Sequence, residues 1–296
     1  MHNNYTGELF ALLNAFVWGT SVVLFKIVSS KKSSAFAMNL FKNTIGFILF
    51  FFTLLVMNID LLPPLANILY YKIIASSVLG VTISDYFLMQ SLKNLQASHW
   101  AVIDCFYGPA FALAGYFFFG EILSLGDWVG ILIVIFSILL FSKIEKQSHS
   151  IKSNSKGIFF SLIAIITNII AIILIKPLFP HVNLIWLTGF RIFAGIIPAL
   201  ILILVFKDIR SSLDIFKPKR DWKYLVPASF LGTYLGMFAW ICGFKYAHLG
   251  AVSAINKIST LIVFMLSIIF LKESFSIKKV LLCIAGFVGA LIIIFF

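Results

Sequence analysis

Five ionisable side chains, Lys42, Asp85, Asp104, Arg191 and Lys257, stand inside long apolar runs of the chain. A charge at that depth costs at least ~2.5–3.5 kcal/mol on membrane-insertion scales, so it turns toward protein or a wet cavity. Each lies roughly 10–12 Å from the nearer end of its run at about 1.5 Å per helical residue. Trp100, Asp104, Tyr107 and Phe111 fall on one helical face, and Ser253, Lys257, Thr260 and Phe264 repeat the same spacing. If those faces meet, an anion from one helix and a cation from another share an aromatic-lined space. That combination suits a zwitterion: Asp104, with Asp85, for an ammonium, Lys257 for a carboxylate, and Trp100 or Tyr107 for an apolar side chain. The plainer reading is that Asp104 and Lys257 pair with each other and hold the bundle together.

Other residues support or frame this set. Asp85, in Thr82-Ile83-Ser84-Asp85-Tyr86, and Asp104 are the candidates to carry a coupling proton, and Lys42 on the same side works against that role at Asp85. Gln90, Tyr234 and Trp240 are candidate hydrogen-bonding or stacking groups, and Asn256 and Thr260 flank Lys257. Lys42 and Arg191 occupy matching places in the two halves of the chain, which points to a shared structural task such as bonding helix ends or lipid headgroups. His99 reads as an interfacial polar residue. Glu121 and Glu273 read as caps on the helices that follow them. Gly80, Gly108, Gly115, Gly232, Gly236 and Gly250 permit close helix approach or bending, and Pro109 and Pro227 are candidate hinges. Cys105, Cys242 and Cys283 lie in different runs without metal spacing and read as small core residues. No cofactor or metal site is expected.

The elements that position these residues follow from composition. The chain is 61% hydrophobic and 11% charged, with a mean hydropathy of +1.06, whereas soluble domains carry roughly a quarter charged residues. Apolar stretches long enough to span a bilayer occur at about 7–28, 35–57, 70–92, 97–119, 126–142, 157–178, 183–206, 224–245, 250–271 and 277–296. In lipid the backbone must bond within each segment, so these are expected to be ten helices. The first run has no basic segment before it and no cleavage signal after it, and is expected to be retained.

The second half repeats the first. Ser91-Leu92-Lys93 and Gly120-Glu121-Ile122 return 152 residues later as Gly243-Phe244-Lys245 and Lys272-Glu273-Ser274. Gly7 and Lys26 match Gly157 and Lys176; Asn39, Phe41, Lys42 and Gly46 match Thr188, Phe190, Arg191 and Gly195; Gly80 matches Gly232. Five spans per half is an odd number, so residues 1–146 and 147–296 are expected to form two five-helix repeats of opposite orientation, an all-α integral membrane protein around a central cavity. The connectors after spans 1, 3, 5, 7 and 9 carry 17 cations and the others three. That bias puts the former in the cytoplasm and both termini outside. The net charge of +12 is therefore a matter of topology, and no nucleic acid is implied. Lys outnumbers Arg 20 to 3, a composition that suits an AT-rich bacterial genome, and the expected location is a bacterial inner membrane.

With Ala15-Phe16-Val17-Trp18-Gly19, the paired cations Lys42 and Arg191, and the repeat of Leu92–Glu121 as Phe244–Glu273, the chain resembles the drug/metabolite transporter superfamily, specifically its EamA-type permeases. That resemblance implies a basket of ten helices, a cavity lined mainly by spans 3, 4, 8 and 9, and secondary transport of small metabolites, often amino acids. It also implies both termini in the cytoplasm, against the charge bias. Relatives often carry a proline in span 9 where Leu261 stands here, which leaves the bend of that span open. The expected partners are a small-molecule substrate, a coupling proton or an exchanged metabolite, and the lipid bilayer, with the protein a monomer or homodimer. The alternatives are an exporter of cationic drugs from the same superfamily and a membrane enzyme acting on a lipid-like substrate. The sequence shows no nucleotide-binding loop, nucleophile elbow or His/Glu metal spacing that would favour an enzyme or pump.

Overall fold

The computed structural model describes residues 5–29, 34–120, 124–147, 155–206, 208–217, 221–273 and 277–295, and every regular element among them is helical. Ten rods follow one another: α1 (Thr6–Ser29), α2 (Ala35–Val56), α3 (Asn67–Asn94), α4 (Ala97–Phe119), α5 (Leu125–Gln147), α6 (Ser155–Leu178), α7 (Leu184–Val205), α8 (Trp222–Tyr246), α9 (Leu249–Ile255, resuming as Ile258–Leu271) and α10 (Ile277–Phe295). Seven of them, α1 to α4 and α6 to α8, are long and apolar enough to cross a membrane as continuous pieces. α9 is divided, and a short helix, Ile209–Asp214, lies in the connector before α8.

Polar residues start and stop these rods at matching places in the two halves. Ser34 accepts from the Phe36 N–H to begin α2, and Asn183 accepts from the Ile185 and Trp186 N–H groups to begin α7, each satisfying donors that a helix start leaves free. α4 ends at Gly120 and α9 at Lys272, both in the left-handed region (φ 67° and 54°), a common way to close a helix C-terminus.

Packing repeats across the halves as well. α2 packs on α7, α4 on α9 and α5 on α10, so each helix of these three pairs meets its own counterpart. α1 packs on α8 and α9, and α6 correspondingly on α3 and α4. The landmark glycines mark where these rods touch. A Cβ on Gly46 would lie 2.5 Å from Thr233 Cγ2, and one on its counterpart Gly195 2.6 Å from Val81 Cγ1. Small residues let helix backbones approach closely where no hydrophobic force drives them together. Gly108 is different: nothing lies within 4 Å of a Cβ placed there, so its smallness serves no close approach.

The surface is apolar and the interior holds the polar groups. Phe52, Phe117, Phe159 and Ile269 are all about 60% exposed or more, as suits side chains facing lipid. Inside, hydroxyls bond main-chain carbonyls across helices: Ser76 of α3 to Ala171 of α6 (2.7 Å), and Ser21 of α1 to Ala228 of α8 (2.8 Å). These bonds occupy equivalent positions with the donor moved to the other helix.

One expectation changes. Among the described residues Glu273 caps α4 and not α10: its carboxylate oxygens accept from the Ala97 and Ser98 N–H groups (2.7 and 3.2 Å). α9 turns back beside the start of α4, where free N–H groups attract an anion. His99, near the start of α4, is buried at 2% exposure. Glu121 and the side chain of Cys283 lie outside the described residues, while Cys105 and Cys242 are free and buried in this structure.

Candidate functional site

The helices with broken hydrogen-bond ladders are the ones that build the centre. α4 is interrupted after Asp104: the Cys105 and Phe106 N–H groups bond three residues back, and Gly108 donates to Cys105 O. Pro109 has no N–H to give. The Asp104 carbonyl is therefore left for another donor, and Lys257 Nζ takes it at 2.8 Å. The same ammonium reaches Asp104 Oδ2 at 2.5 Å and lies 5.0 Å from the centre of the Tyr107 ring. Lys257 itself stands at the interruption of α9, between Ile255 and Ile258. α9 thus breaks where its repeat partner does, although Leu261 replaces the proline.

α3 and α8 carry a second kind of irregularity at matching places, the π-helical segments Val78–Ser84 and Ser229–Gly236. Wide turns of this kind leave carbonyls underused and are frequent at functional sites. In α3 those carbonyls are met by Asn39 of α2, whose Nδ2 reaches Val81 O and Thr82 O at 3.3 Å each. Asn43 donates to Asn39 (2.8 Å), Lys42 donates to Asn43 Oδ1 (3.1 Å), and Lys42 Nζ lies 2.5 Å from Asp85 Oδ2, directly after the π segment.

Both ion pairs open onto one cavity of about 870 Å³, its mouth included, lined by Lys42, Asp85, Asp104 and Lys257 together with Trp18, Trp100, Tyr107, Phe111 and Trp240. Of the residues singled out from the sequence, Asp85, Trp100, Asp104, Tyr107, Trp240, Asn256 and Lys257 are brought together on its wall. Three stand apart. Gln90 donates to Tyr86, Tyr234 bonds Thr53 of α2, and Thr260 meets Ala101 O and Cys105 Sγ between α9 and α4. Lys42 and Arg191, matched in sequence, part company in space. Lys42 lines the cavity, while Arg191 is buried at 2% exposure beside Gly80 and faces no headgroup region.

α1 and α6 add wall residues that the sequence reading did not single out: Asn14, Ser161 and Asn168. Asn14 donates to Asn256 Oδ1 at 3.1 Å and ties α1 to α9. The signal was present, because asparagine in an apolar span is polar enough to need a partner in the bundle.

Ten helices in two inverted repeats, with paired charges and aromatic rings around a central cavity, define a multi-pass membrane transporter fold. The model of the EamA-like transporter family matches residues 5–143 and 155–295, once per repeat, and the chain belongs to that family. Among solved structures, the crystal structure of one protein aligns over 97% of this chain and 96% of its own, with a TM-score of 0.71 and 13% identity. At that identity the likeness is one of fold. A search of curated proteins returns no match.

Proposed function

We propose that this chain is a secondary transporter that carries an amino acid or an amino-acid-like zwitterion across a bacterial inner membrane by alternating access, with halves 1–146 and 147–296 rocking about the cavity. The observation that carries this reading is the pair of Lys–Asp bridges, Lys42–Asp85 and Lys257–Asp104, set in one aromatic-lined space. A zwitterion can enter such a bridge at low electrostatic cost. Its ammonium replaces the lysine at the carboxylate, its carboxylate replaces the aspartate at the ammonium, and neither charge of that bridge is left alone. Trp100, Phe111 and Trp240 then receive the apolar side chain.

The rival functions ask for other arrangements. A receptor for cationic drugs needs carboxylates free of lysine. A lipid-modifying enzyme with a metal needs them gathered together, and among the described residues no group of three His, Cys, Asp or Glu could hold an ion. The test is counterflow in proteoliposomes with individually labelled amino acids. Uptake is expected to be saturable and to disappear in Asp104→Asn and in Lys257→Ala; unaltered counterflow in both variants would sink the site assignment.

A further inference from the structure

The buried charges among the described residues do not balance: Lys42, Arg191 and Lys257 stand against Asp85 and Asp104. Two of the cations have their carboxylates at 2.5 Å. The third, Arg191, is 2% exposed, and its Nε and Nη1 have no hydrogen-bond partner among the described residues. The repeat explains why it is left over. Arg191 is the counterpart of Lys42, but the counterpart of Asp85 is Met237, so the second half kept the cation and lost the acid. A buried guanidinium with free N–H groups is costly and normally finds an anion.

That anion is within reach of the cavity wall. A Cβ on Gly80 would lie 3.0 Å from Arg191 Nη2, so the guanidinium occupies the space beside this glycine. Asp85 follows directly after the π-helical segment Val78–Ser84, five residues beyond Gly80 on the same rod. Asp85 is ion-paired with Lys42 of its own half, and Arg191 of the other half approaches the same rod at Gly80, close enough for the two charges to be felt.

We propose that the ligand of this cavity carries one net negative charge, that its anionic group takes Lys42, and that Asp85 then turns to Arg191. Three cations, two carboxylates and one ligand charge leave every group paired. A neutral zwitterion leaves one cation unmatched, and a cationic ligand leaves two. The substrate class is thus an amino-acid-like acid with one more carboxylate than ammonium groups, or an N-blocked amino acid. Lys42–Asp85 is a bond within the first half, whereas Asp85–Arg191 joins the halves. The exchange therefore makes the ligand's charge the agent that draws the halves together. The proposal rests on the transporter reading and narrows its substrate.

Three matched pools test the charge on the full-length protein in nanodiscs: N-acetyl amino acids with aspartate and glutamate (net −1), the parent neutral amino acids, and their amides (net +1). Only the anionic pool is expected to raise the thermal midpoint, by several degrees, and Arg191→Gln is expected to remove that shift. A larger shift from the neutral or cationic pool, or none from the anionic pool, overturns the charge assignment. The exchange itself is tested without ligand. Lys42→Met and Arg191→Gln each leave Asp85 one cation, so the double variant is expected to lose far more than the sum of the singles; additive losses overturn the exchange. Counterflow of neutral amino acids without an anionic preference removes this proposal and leaves the transport reading standing. No counterflow with any pool, alongside a non-additive cycle, removes the transport reading and leaves the two partners of Asp85 in place.

Discussion

Lys257 holds both the carboxylate and the main-chain carbonyl of Asp104, so the two residues stand or fall together. Lys257→Ala leaves a buried carboxylate alone, and removing one partner of a buried pair typically costs about 3–5 kcal/mol. The repeat supplies a milder exchange. Asn256 is the counterpart of Asp104 and Cys105 that of Lys257, so Asp104→Asn with Lys257→Cys gives both helices the neutral residues their partners already carry. The double variant is expected to unfold several degrees above the single Lys257→Cys and to show no counterflow, read by thermal unfolding and uptake on the same preparation. This also marks how far single residues were legible. That five charges stand inside apolar helices could be read from the runs, and all five are buried in the structure. The pairing of Asp104 with Lys257 was legible as the plainer reading, and Lys42 as the cation on the side of Asp85; that Lys257 also takes the Asp104 carbonyl was not, because it depends on how α4 breaks.

The helices show a similar division between what spacing conveys and what packing decides. The ten runs predicted their rods to within a few residues, since a bilayer sets the length of whatever crosses it. The break in α9 was not legible, because Pro109 marks its counterpart in α4 while α9 has Leu261. The structure places both breaks at the ion pair, where Lys257 gains a carbonyl that only an interrupted α4 can offer. Glu273 was misread for a related reason: it precedes α10 in sequence but lies against the start of α4 in space. Glycine contacts give this scale its own test. Gly46→Ala drives a Cβ to 2.5 Å from Thr233 Cγ2, and overpacking of this kind costs about 1–3 kcal/mol. Gly46→Ala is expected to lower the thermal midpoint, and adding Thr233→Ala, which removes that methyl, to restore part of the loss. A midpoint unchanged by Gly46→Ala would mean that α2 and α8 are not pressed together there.

Across the whole molecule, the connectors after odd-numbered helices are tied to one another. Lys26 and Ser29 at the end of α1 donate to Leu92 O near the end of α3, Ser34 before α2 bonds Asp208 before α8, and Glu273 after α9 caps α4. These connectors therefore share one side, as ten successive crossings require, and it is the side that carries 17 of the 23 cations. Cytoplasmic connectors hold the excess of Lys and Arg, so the face built by these ties is expected inside the cell, with both termini outside. Two exposed positions distinguish the faces: Leu62 in the α2–α3 connector, 77% exposed, and Leu213 in the α7–α8 connector, 60% exposed. In a variant lacking Cys105, Cys242 and Cys283, Leu62→Cys is expected to react with an impermeant maleimide on intact cells, and Leu213→Cys only after permeabilisation. The reverse pattern would place the cationic face outside, and the Glu273 tie with it.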